Sequence, residues 1–381
     1  MKRLPQIIIS CAALAVVLAA SFLFWSNQAK AAPATGCGWT VVPSPNDGQI
    51  GSNLDATVAL SAKNVWALGY TGDYFAPDAF IEHWDGTQWN LVSIPNLGPT
   101  YNELTGITAL SAHNIWAVGF EQDFSNPTLI EHWDGTEWSI VPSPFVLPQD
   151  ILYGVSAVSG NDIWAVGDSM NTNTQVINTL IEHWNGSSWS IVSSPNPSPE
   201  TNQLNAVAVI AKNNVWAVGS YSNENGVQTL VEHWNGTVWS VVSSPSLTEY
   251  DRLNGITAIS ATDVWAVGAT ESQTLIEHWD GSQWNIVPSP NSSSGDFLQS
   301  VAAATSSDIW AVGGTYPDNQ EDTQTLIEHW NGTKWTIATS PSPGLRNVLN
   351  GVTAVPNTRQ VWTVGTFTTS SSTSTLTEFH C

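Results

Sequence analysis

The stretch ILYGVSAVSGNDIWAVG at residues 151–167, followed by TLIEHWNGSSWSIVSSP at residues 179–195, decides the fold of this chain. It holds four short apolar segments rich in Val, Ile, Thr and Trp, which are Leu152–Ser159, Asp162–Gly167, Thr179–Trp184 and Ser188–Val192. Each has the length of a β-strand, and none shows 3.6-residue periodicity over the ten or more residues that a helix needs. The stretch therefore predicts four antiparallel strands, with a type I′ turn at Asn185-Gly186 between the last two.

The same pattern recurs along the chain with a period of 45 to 52 residues. The Trp of the WAVG block marks each copy, and it stands at Trp66, Trp116, Trp164, Trp216, Trp265, Trp310 and Trp362. A β-solenoid would have shorter coils, and separate sandwiches would not share one motif. Four strands repeated in seven copies predict an all-β fold, a seven-bladed β-propeller with four antiparallel strands in each blade.

The two ends of the chain predict how the ring closes. The last copy ends at Cys381 after its third strand, and the segment Trp39–Pro45 matches the outer strand of every other copy. We therefore expect the N-terminal strand to complete the last blade. Alignment on the other hairpins places Cys37 and Cys381 at neighbouring turn positions, and they are the only cysteines after residue 31. An exported protein meets oxidising conditions, so the sequence predicts a Cys37–Cys381 disulfide.

The N-terminal segment has the features of a targeting sequence. Two basic residues, Lys2 and Arg3, precede the apolar run Ile7–Trp25, and Ala29-Lys30-Ala31 offers a small-x-small cleavage pattern. Residues 1–31 are thus predicted to be a signal peptide or an N-terminal membrane anchor, and residues 32–381 a single propeller domain. The expected location is outside the cell, either secreted or anchored on the outer face of the membrane.

The composition limits the partners of this protein. The chain has 381 residues, of which 42% are hydrophobic and 11% charged, so it has ample apolar surface for a core. Nine Lys and Arg against 32 Asp and Glu give a formal net charge of −23. Such an acidic protein is repelled by nucleic acid and anionic lipid. We expect the protein to be a monomer and its partner to be an extracellular glycan or protein. We expect it to contact a membrane only through the N-terminal segment, if that segment is uncleaved.

The repeat resembles the kelch repeat. The residues that carry the resemblance in the sixth copy are Asp308–Gly314, Glu328–Trp335 and Pro341. Trp stands where kelch repeats usually have Tyr, and only this copy keeps the second Gly of the pattern, so the chain is similar to kelch-like propellers such as the central domain of galactose oxidase. The resemblance implies the fold, and exported bacterial propellers of this kind include binding modules and a few enzymes.

Most of the repeated residues are predicted to have structural roles. Twenty Trp occupy three repeat columns, where bulky side chains fill the space between neighbouring sheets. Six strands carry a Glu-His pair, for example Glu182-His183. Consecutive residues on a strand point to opposite faces, so the two side chains of one pair cannot jointly bind an ion. We expect these pairs to serve packing.

Function is predicted where the copies differ. The connections from second to third strand, and from fourth strand to the next copy, are long and variable, and both emerge at one end of the ring, here called the loop face. Loops on a rigid scaffold carry binding sites, and exposed aromatic residues among acids suit sugars, peptides or cations. The candidate binding residues are Tyr70, Asp73, Tyr74, Phe75, Tyr101, Phe120, Phe124, Tyr153, Tyr221, Tyr250, Arg252 and Tyr316. No cofactor is expected, apart from a candidate Ca²⁺ near Asp318, Glu321 and Asp322, whose spacing matches no standard calcium loop.

Three functions remain open at the level of sequence. The first is a non-catalytic recognition module that binds glycan or protein through the loop face. The second is an enzyme that acts on polysaccharide through two loop carboxylates, although no pair of acids stands out as catalytic. The third is a surface-display or structural protein without a small ligand, in which the acidic residues confer solubility.

Overall fold

A computed structural model describes residues 38–46, 51–72, 78–95, 101–121, 127–147, 149–317 and 322–381. These ranges are all-β, with 28 strands. No helix within them is long and apolar enough to cross a membrane. Residues 1–31, for which a signal peptide or anchor is predicted, lie outside these ranges, so that prediction stays open.

Each repeat copy contributes strands in four positions, counted from the centre of the ring outwards. The first strands are β2 (Ser52–Ser61), β6 (Asn102–Ser111), β10 (Asp150–Ser159), β14 (Thr201–Ala211), β18 (Arg252–Ser260), β22 (Asp296–Thr305) and β26 (Arg346–Ala354). The second strands are β3 (Asn64–Thr71), β7 (Asn114–Glu121), β11 (Asp162–Met170), β15 (Asn214–Asn223), β19 (Asp263–Ala269), β23 (Asp308–Thr315) and β27 (Val361–Thr368).

The third and outer strands complete the sheets. The third strands are β4 (Asp78–Trp84), β8 (Thr128–Trp133), β12 (Ile177–Trp184), β16 (Gly226–Trp234), β20 (Thr274–Trp279), β24 (Gln324–Trp330) and β28 (Thr373–His380). The outer strands are β1 (Thr40–Val41), β5 (Trp89–Val92), β9 (Trp138–Ile140), β13 (Trp189–Ile191), β17 (Trp239–Val241), β21 (Trp284–Ile286) and β25 (Trp335–Ala338). The first strands contact one another in order around the ring, and β26 contacts β2.

The predicted set of seven separate blades is wrong. Five blades are sheets of four antiparallel strands, and the strands of the third and fourth copies, β10 to β17, belong to one eight-stranded sheet. The junction is a parallel pairing of Ile177 in β12 with Thr201 in β14. Its cause is the connection before Thr201, which turns back so that Glu200 O accepts a hydrogen bond from Ile177 N at 2.9 Å. The repeat period alone carries no signal for this extra pairing.

The N-terminal strand closes the ring, as the sequence predicts. Strand β1 pairs antiparallel with β28, with Thr40 opposite Phe379 and Val41 opposite Glu378. The indole of Trp39 packs edge-on against Trp310 with ring centroids 5.3 Å apart, which is the contact that its repeat column makes elsewhere. Cys37 lies outside the described residues, so the Cys37–Cys381 disulfide stays a prediction.

Tryptophan side chains pack between consecutive copies. The Trp of one second strand contacts two Trp of the next copy, as where Trp116 lies 5.0 Å from Trp184 and 5.7 Å from Trp189, between ring centroids. The same triad closes the ring, since Trp362 lies 4.9 Å from Trp84 and 5.3 Å from Trp89. Large indoles remove much apolar area from water, so these interfaces hold the copies together.

The hairpins between third and outer strands differ from the predicted type I′ turn. That turn needs positive φ at both central residues, whereas at Asn185-Gly186 only the glycine has it, with φ 97°. The connection has four residues, and Asn185 Oδ1 accepts hydrogen bonds from Ser187 N at 2.9 Å and Ser188 N at 3.1 Å. The asparagine therefore forms an Asx turn, which satisfies the loop backbone without the left-handed conformation at Asn185.

Candidate functional site

The first strands surround a central channel that widens toward the loop face. Its inner cavity has a volume of about 220 Å³ and its outer cavity a volume of about 630 Å³, and residues such as Asp55, Tyr153 and Asn254 line both. We call the outer cavity the channel mouth; its wall also includes Glu103 and Arg252. The larger volume lies within the range of small-ligand pockets, so the channel mouth is the candidate site.

A β-bulge in every first strand turns one polar or aromatic side chain into the channel. The pairing register shifts immediately around the bulged residue, for instance between Leu104 and Gly106. A bulge re-aims a side chain and leaves that residue outside the ladder. The bulged residues are Asp55, Thr105, Tyr153, Asn205, Asn254, Gln299 and Asn350. All seven line the channel.

Glycine on the second strand makes room for each bulge. A Cβ built on Gly119 would lie 1.9 Å from the carbonyl oxygen of Glu103, and one on Gly268 would lie 1.9 Å from that of Arg252. No real side chain tolerates such a distance to backbone. The Gly of the WAVG block is therefore required for the close approach of two backbones, which fixes the position of the channel-lining residues.

Several bulged side chains bind the next copy. Asn205 Nδ2 donates to Leu253 O at 2.8 Å, and Asn254 Nδ2 donates to Leu298 O at 2.8 Å. Asn350 Nδ2 donates to Leu54 O at 2.9 Å, which repeats the bond where the ring closes. These bonds hold neighbouring first strands in register.

The side formed by β2 and β6 is acidic. Burial raises the pKa of Asp55 well above its usual value, and repulsion by Glu103 raises it further. A hydrogen bond that Asn53 Nδ2 donates to Asp55 Oδ1 at 2.5 Å lowers the pKa but does not cancel the shift. Burial also raises the pKa of Glu103, to about 7. Asp55 Oδ2 is buried without a hydrogen-bond partner within the described ranges. Among the described residues, no cation contributes to the pKa shift of either carboxyl.

A third carboxyl, Asp168, lies next to Tyr153. Burial raises the pKa of Asp168 to about 6, although side-chain hydrogen bonds with Tyr153 and Gln203 oppose the shift. The pKa of Tyr153 is raised by burial and by the charge of Asp168. Tyr153 stays a neutral phenol that links the acidic side of the mouth to Gln203.

Arginine and aromatic residues form the rest of the mouth. The guanidinium of Arg252 lies 5.8 Å from the ring centroid of Tyr250, a cation–π contact, and Arg252 Nε is buried without a hydrogen-bond partner among the residues described. Tyr250 is 44% exposed, so its ring is available to a ligand. On the opposite wall Phe120 stacks on Tyr101 with centroids 5.7 Å apart.

The structure brings together some of the residues that the sequence singled out. Phe120, Tyr153, Tyr250 and Arg252 line the channel mouth, and Tyr101 supports Phe120 from behind. Tyr221 packs against a core cluster, and Tyr316 packs against Phe297 away from the mouth. Tyr70 lies at the end of β3 and also outside the lining of the mouth. Asp73, Tyr74, Phe75 and Phe124 lie outside the described residues, as do Asp318 and Glu321 of the candidate Ca²⁺ site.

Two acids of the loop face have structural roles. Asp251 and Asp296 are buried, and their carboxylates accept hydrogen bonds from backbone N–H groups of the preceding connection, Thr248 N at 3.0 Å and Ser293 N at 3.3 Å respectively. They hold the connections between copies in place.

Sequence reasoning missed Asp55, Glu103 and the amide side chains of the channel. The signal was present, because the residues on both sides of the repeated Leu of the first strand differ between copies. The position after Leu reads Asp, Thr, Tyr, Asn, Asn, Gln and Asn from the first copy to the last, and the position before it reads Asn, Glu, Ile, Gln, Arg, Phe and Val. Variation beside a constant Leu indicates residues that are free of the packing constraint.

Comparison with known proteins supports the fold alone. No family model matches the chain, and no curated protein matches it. Among solved structures, YCF48 bound to D1 peptide is 13% identical with a TM-score of 0.58, covering 91% of this chain and 96% of that one. U3-55K is 11% identical with a TM-score of 0.59, covering 91% and 100%. Sqt1 from Chaetomium thermophilum is 14% identical with a TM-score of 0.51, covering 84% and 81%. These similarities support a β-propeller, and the kelch-like assignment is not confirmed.

Proposed function

We propose that this protein is a non-catalytic recognition module that binds a peptide segment of a partner protein at the channel mouth. The observation that carries the proposal is a cavity of about 630 Å³ whose wall combines the aromatic rings of Phe120, Tyr153 and Tyr250 with polar bulged side chains. Aromatic and amide groups in a preformed concave site suit peptide side chains and backbone groups.

Two further points support this assignment. One protein of similar fold was solved with a bound peptide, YCF48 with a D1 peptide. The N-terminal sequence favours export, so we place the partner outside the cell, as a protein of the cell surface or the medium. A glycan is the other ligand class that exposed tyrosines suit, and the experiment below distinguishes the two.

Two tyrosines of the loop face provide a matched test of the proposal. Tyr250 is 44% exposed and lines the mouth, whereas Tyr316 is 48% exposed and lies outside its lining. The full chain is screened against a hexapeptide array and a glycan array, and each hit is repeated with Tyr250→Ala and Tyr316→Ala. We expect peptide hits that Tyr250→Ala weakens about tenfold or more, because a hot-spot aromatic contributes at least this much.

Tyr316→Ala should bind like the wild type. Glycan hits without peptide hits would assign the mouth to sugars and refute the peptide proposal. Hits that are insensitive to Tyr250→Ala, or that depend on Tyr316, would place the binding site elsewhere.

A further inference from the structure

The channel mouth has two sides of opposite charge, and neither is neutralised by the other. Asp55 and Glu103 come from neighbouring first strands, β2 and β6, while Arg252 comes from β18, three strands further round the ring from β6. Burial raises the pKa of both carboxyls, and repulsion by Glu103 raises that of Asp55 further; no cation contributes to either shift. The acidic side therefore lacks a positive partner within the described residues.

The other cations of the described chain are distributed away from this site. Lys63, Lys212 and Arg359 lie in connections between first and second strands, and Lys334 lies in a hairpin between third and outer strands. All four are exposed at the end opposite the loop face, and Arg346, at the start of β26, is exposed outside the lining of the mouth. The stretches without a structural description between residues 47 and 321 contain no Lys or Arg, so no cation from these loops reaches the mouth.

We infer that the channel mouth binds the ammonium or guanidinium group of a Lys or Arg side chain in the partner peptide. Glu103 lines only the outer cavity, whereas Asp55 lines both cavities and lies deeper. The cation contacts Glu103, and Asp55 is a second carboxyl below it that can release its proton when the cation is bound. This inference rests on the proposed function, because it names the side chain that the peptide presents.

The remaining walls of the mouth fit the rest of such a peptide. Arg252 lies over Tyr250 and lines the mouth, so its guanidinium can donate to a peptide carbonyl. Phe120 and Tyr250 offer apolar surface for the methylene groups of a Lys or Arg side chain. The negative charge of the whole chain also attracts a basic peptide over a longer range.

The affinity for a cation should depend on pH, because a carboxyl must release its proton to pair with the cation. The titratable and charged groups that line the mouth with the pair are Tyr153 on β10, whose partner is Asp168 on β11, and Arg252 on β18. Glu103 has its pKa raised to about 7, so near pH 6 it is mostly protonated, and it must release its proton to pair with an ammonium group. Affinity for a Lys peptide should therefore rise from pH 6 to pH 8, whereas a neutral analogue should show no such rise.

The test uses hexapeptide libraries that are acetylated and amidated and carry Lys, Arg, norleucine or Glu at one central position. Calorimetry measures their binding to the full chain at pH 6 and pH 8. The variants are Asp55→Asn, a residue native to this position in other copies, and Glu103→Gln. Glu271→Gln removes an exposed carboxylate outside the mouth and serves as the control of equal charge.

We expect Lys and Arg libraries to bind about tenfold or more tightly than norleucine at pH 8, since loss of one member of a buried charge pair costs at least this much. Asp55→Asn and Glu103→Gln should remove most of this preference, and Glu271→Gln should keep it. Equal binding of Lys, norleucine and Glu libraries would overturn the cation inference and leave the peptide proposal standing. A preference for Glu would also overturn it. Absence of binding by every library would refute both.

Discussion

At the scale of single residues, the channel depends on the fit between a bulge and a glycine. The first strand of each copy carries a residue outside the ladder, and the Gly of the WAVG block on the second strand leaves space for the backbone beside it. The repeated Gly is thus required by close approach, and the bulged residue is free to differ between copies. The Gly of the second strand therefore serves the fold, and the bulged residue of the first strand can vary to suit a ligand.

Because of this fit, we expect Gly119→Ala to lower the free energy of unfolding strongly. The new methyl carbon would lie 1.9 Å from Glu103 O, so the first and second strands must separate. Overpacking of this kind costs about 3 kcal/mol, and urea denaturation of the full chain measures it. Gly160→Ala is the control, because its Cβ meets only the Asn114 side-chain amide at 3.2 Å. Equal stability of the two variants would show that the bulge adapts to a side chain.

At the scale of elements, each third strand places one glutamate between copies. Glu232 in β16 is fully buried, and burial raises its pKa from 4.5 to about 8. The equivalent residues Glu131, Glu277 and Glu328 show the same shift for the same reason. The sequence predicted packing roles for these residues, since neighbours on a strand point to opposite faces. It could not show their degree of burial, which depends on how the sheets meet.

From the raised pKa values of these glutamates, we expect the protein to lose stability as the pH rises. Their folded-state pKa lies above the unfolded value, so the neutral form is favoured by folding. The contribution is fully present below pH 4.5 and is lost as the pH rises through about 8. The aspartates of the hairpins, such as Asp280, have their pKa lowered to about 2 by hydrogen bonds from Ser282 and oppose this trend only in strong acid.

The variant Glu232→Gln tests whether ionisation of a buried glutamate causes this loss of stability. The amide stays neutral, so the variant should melt about 2 °C or more above the wild type at pH 9 and close to it at pH 5, as measured by thermal denaturation. Glu271→Gln, at an exposed position, should follow the wild type at both pH values. A wild-type melting temperature that is constant from pH 5 to pH 9 would contradict the assignment of these carboxyls as neutral.

At the scale of the whole molecule, the ring has a repetitive end and a variable end. The all-β class, the strand positions and closure by β1 were predictable, because periodicity and the Trp columns are local signals that recur. The joined sheet of the third and fourth copies was not, since it depends on one turn before Thr201. The acidic side of the channel was missed as well, because Asp55 and Glu103 are 48 residues apart and meet only when the ring forms.

Hydrogen exchange of the full chain, with and without the hexapeptide library that carries a central Lys, tests the central claim most directly. The account predicts that the peptide slows exchange in the first strands at the mouth, especially β6, β10 and β18, and in the connections of the loop face beside them. Exchange in the turns of the opposite end, such as residues 111–114 and 260–263, should be unchanged. Protection confined to those turns or to the outer strands would contradict recognition at the channel mouth.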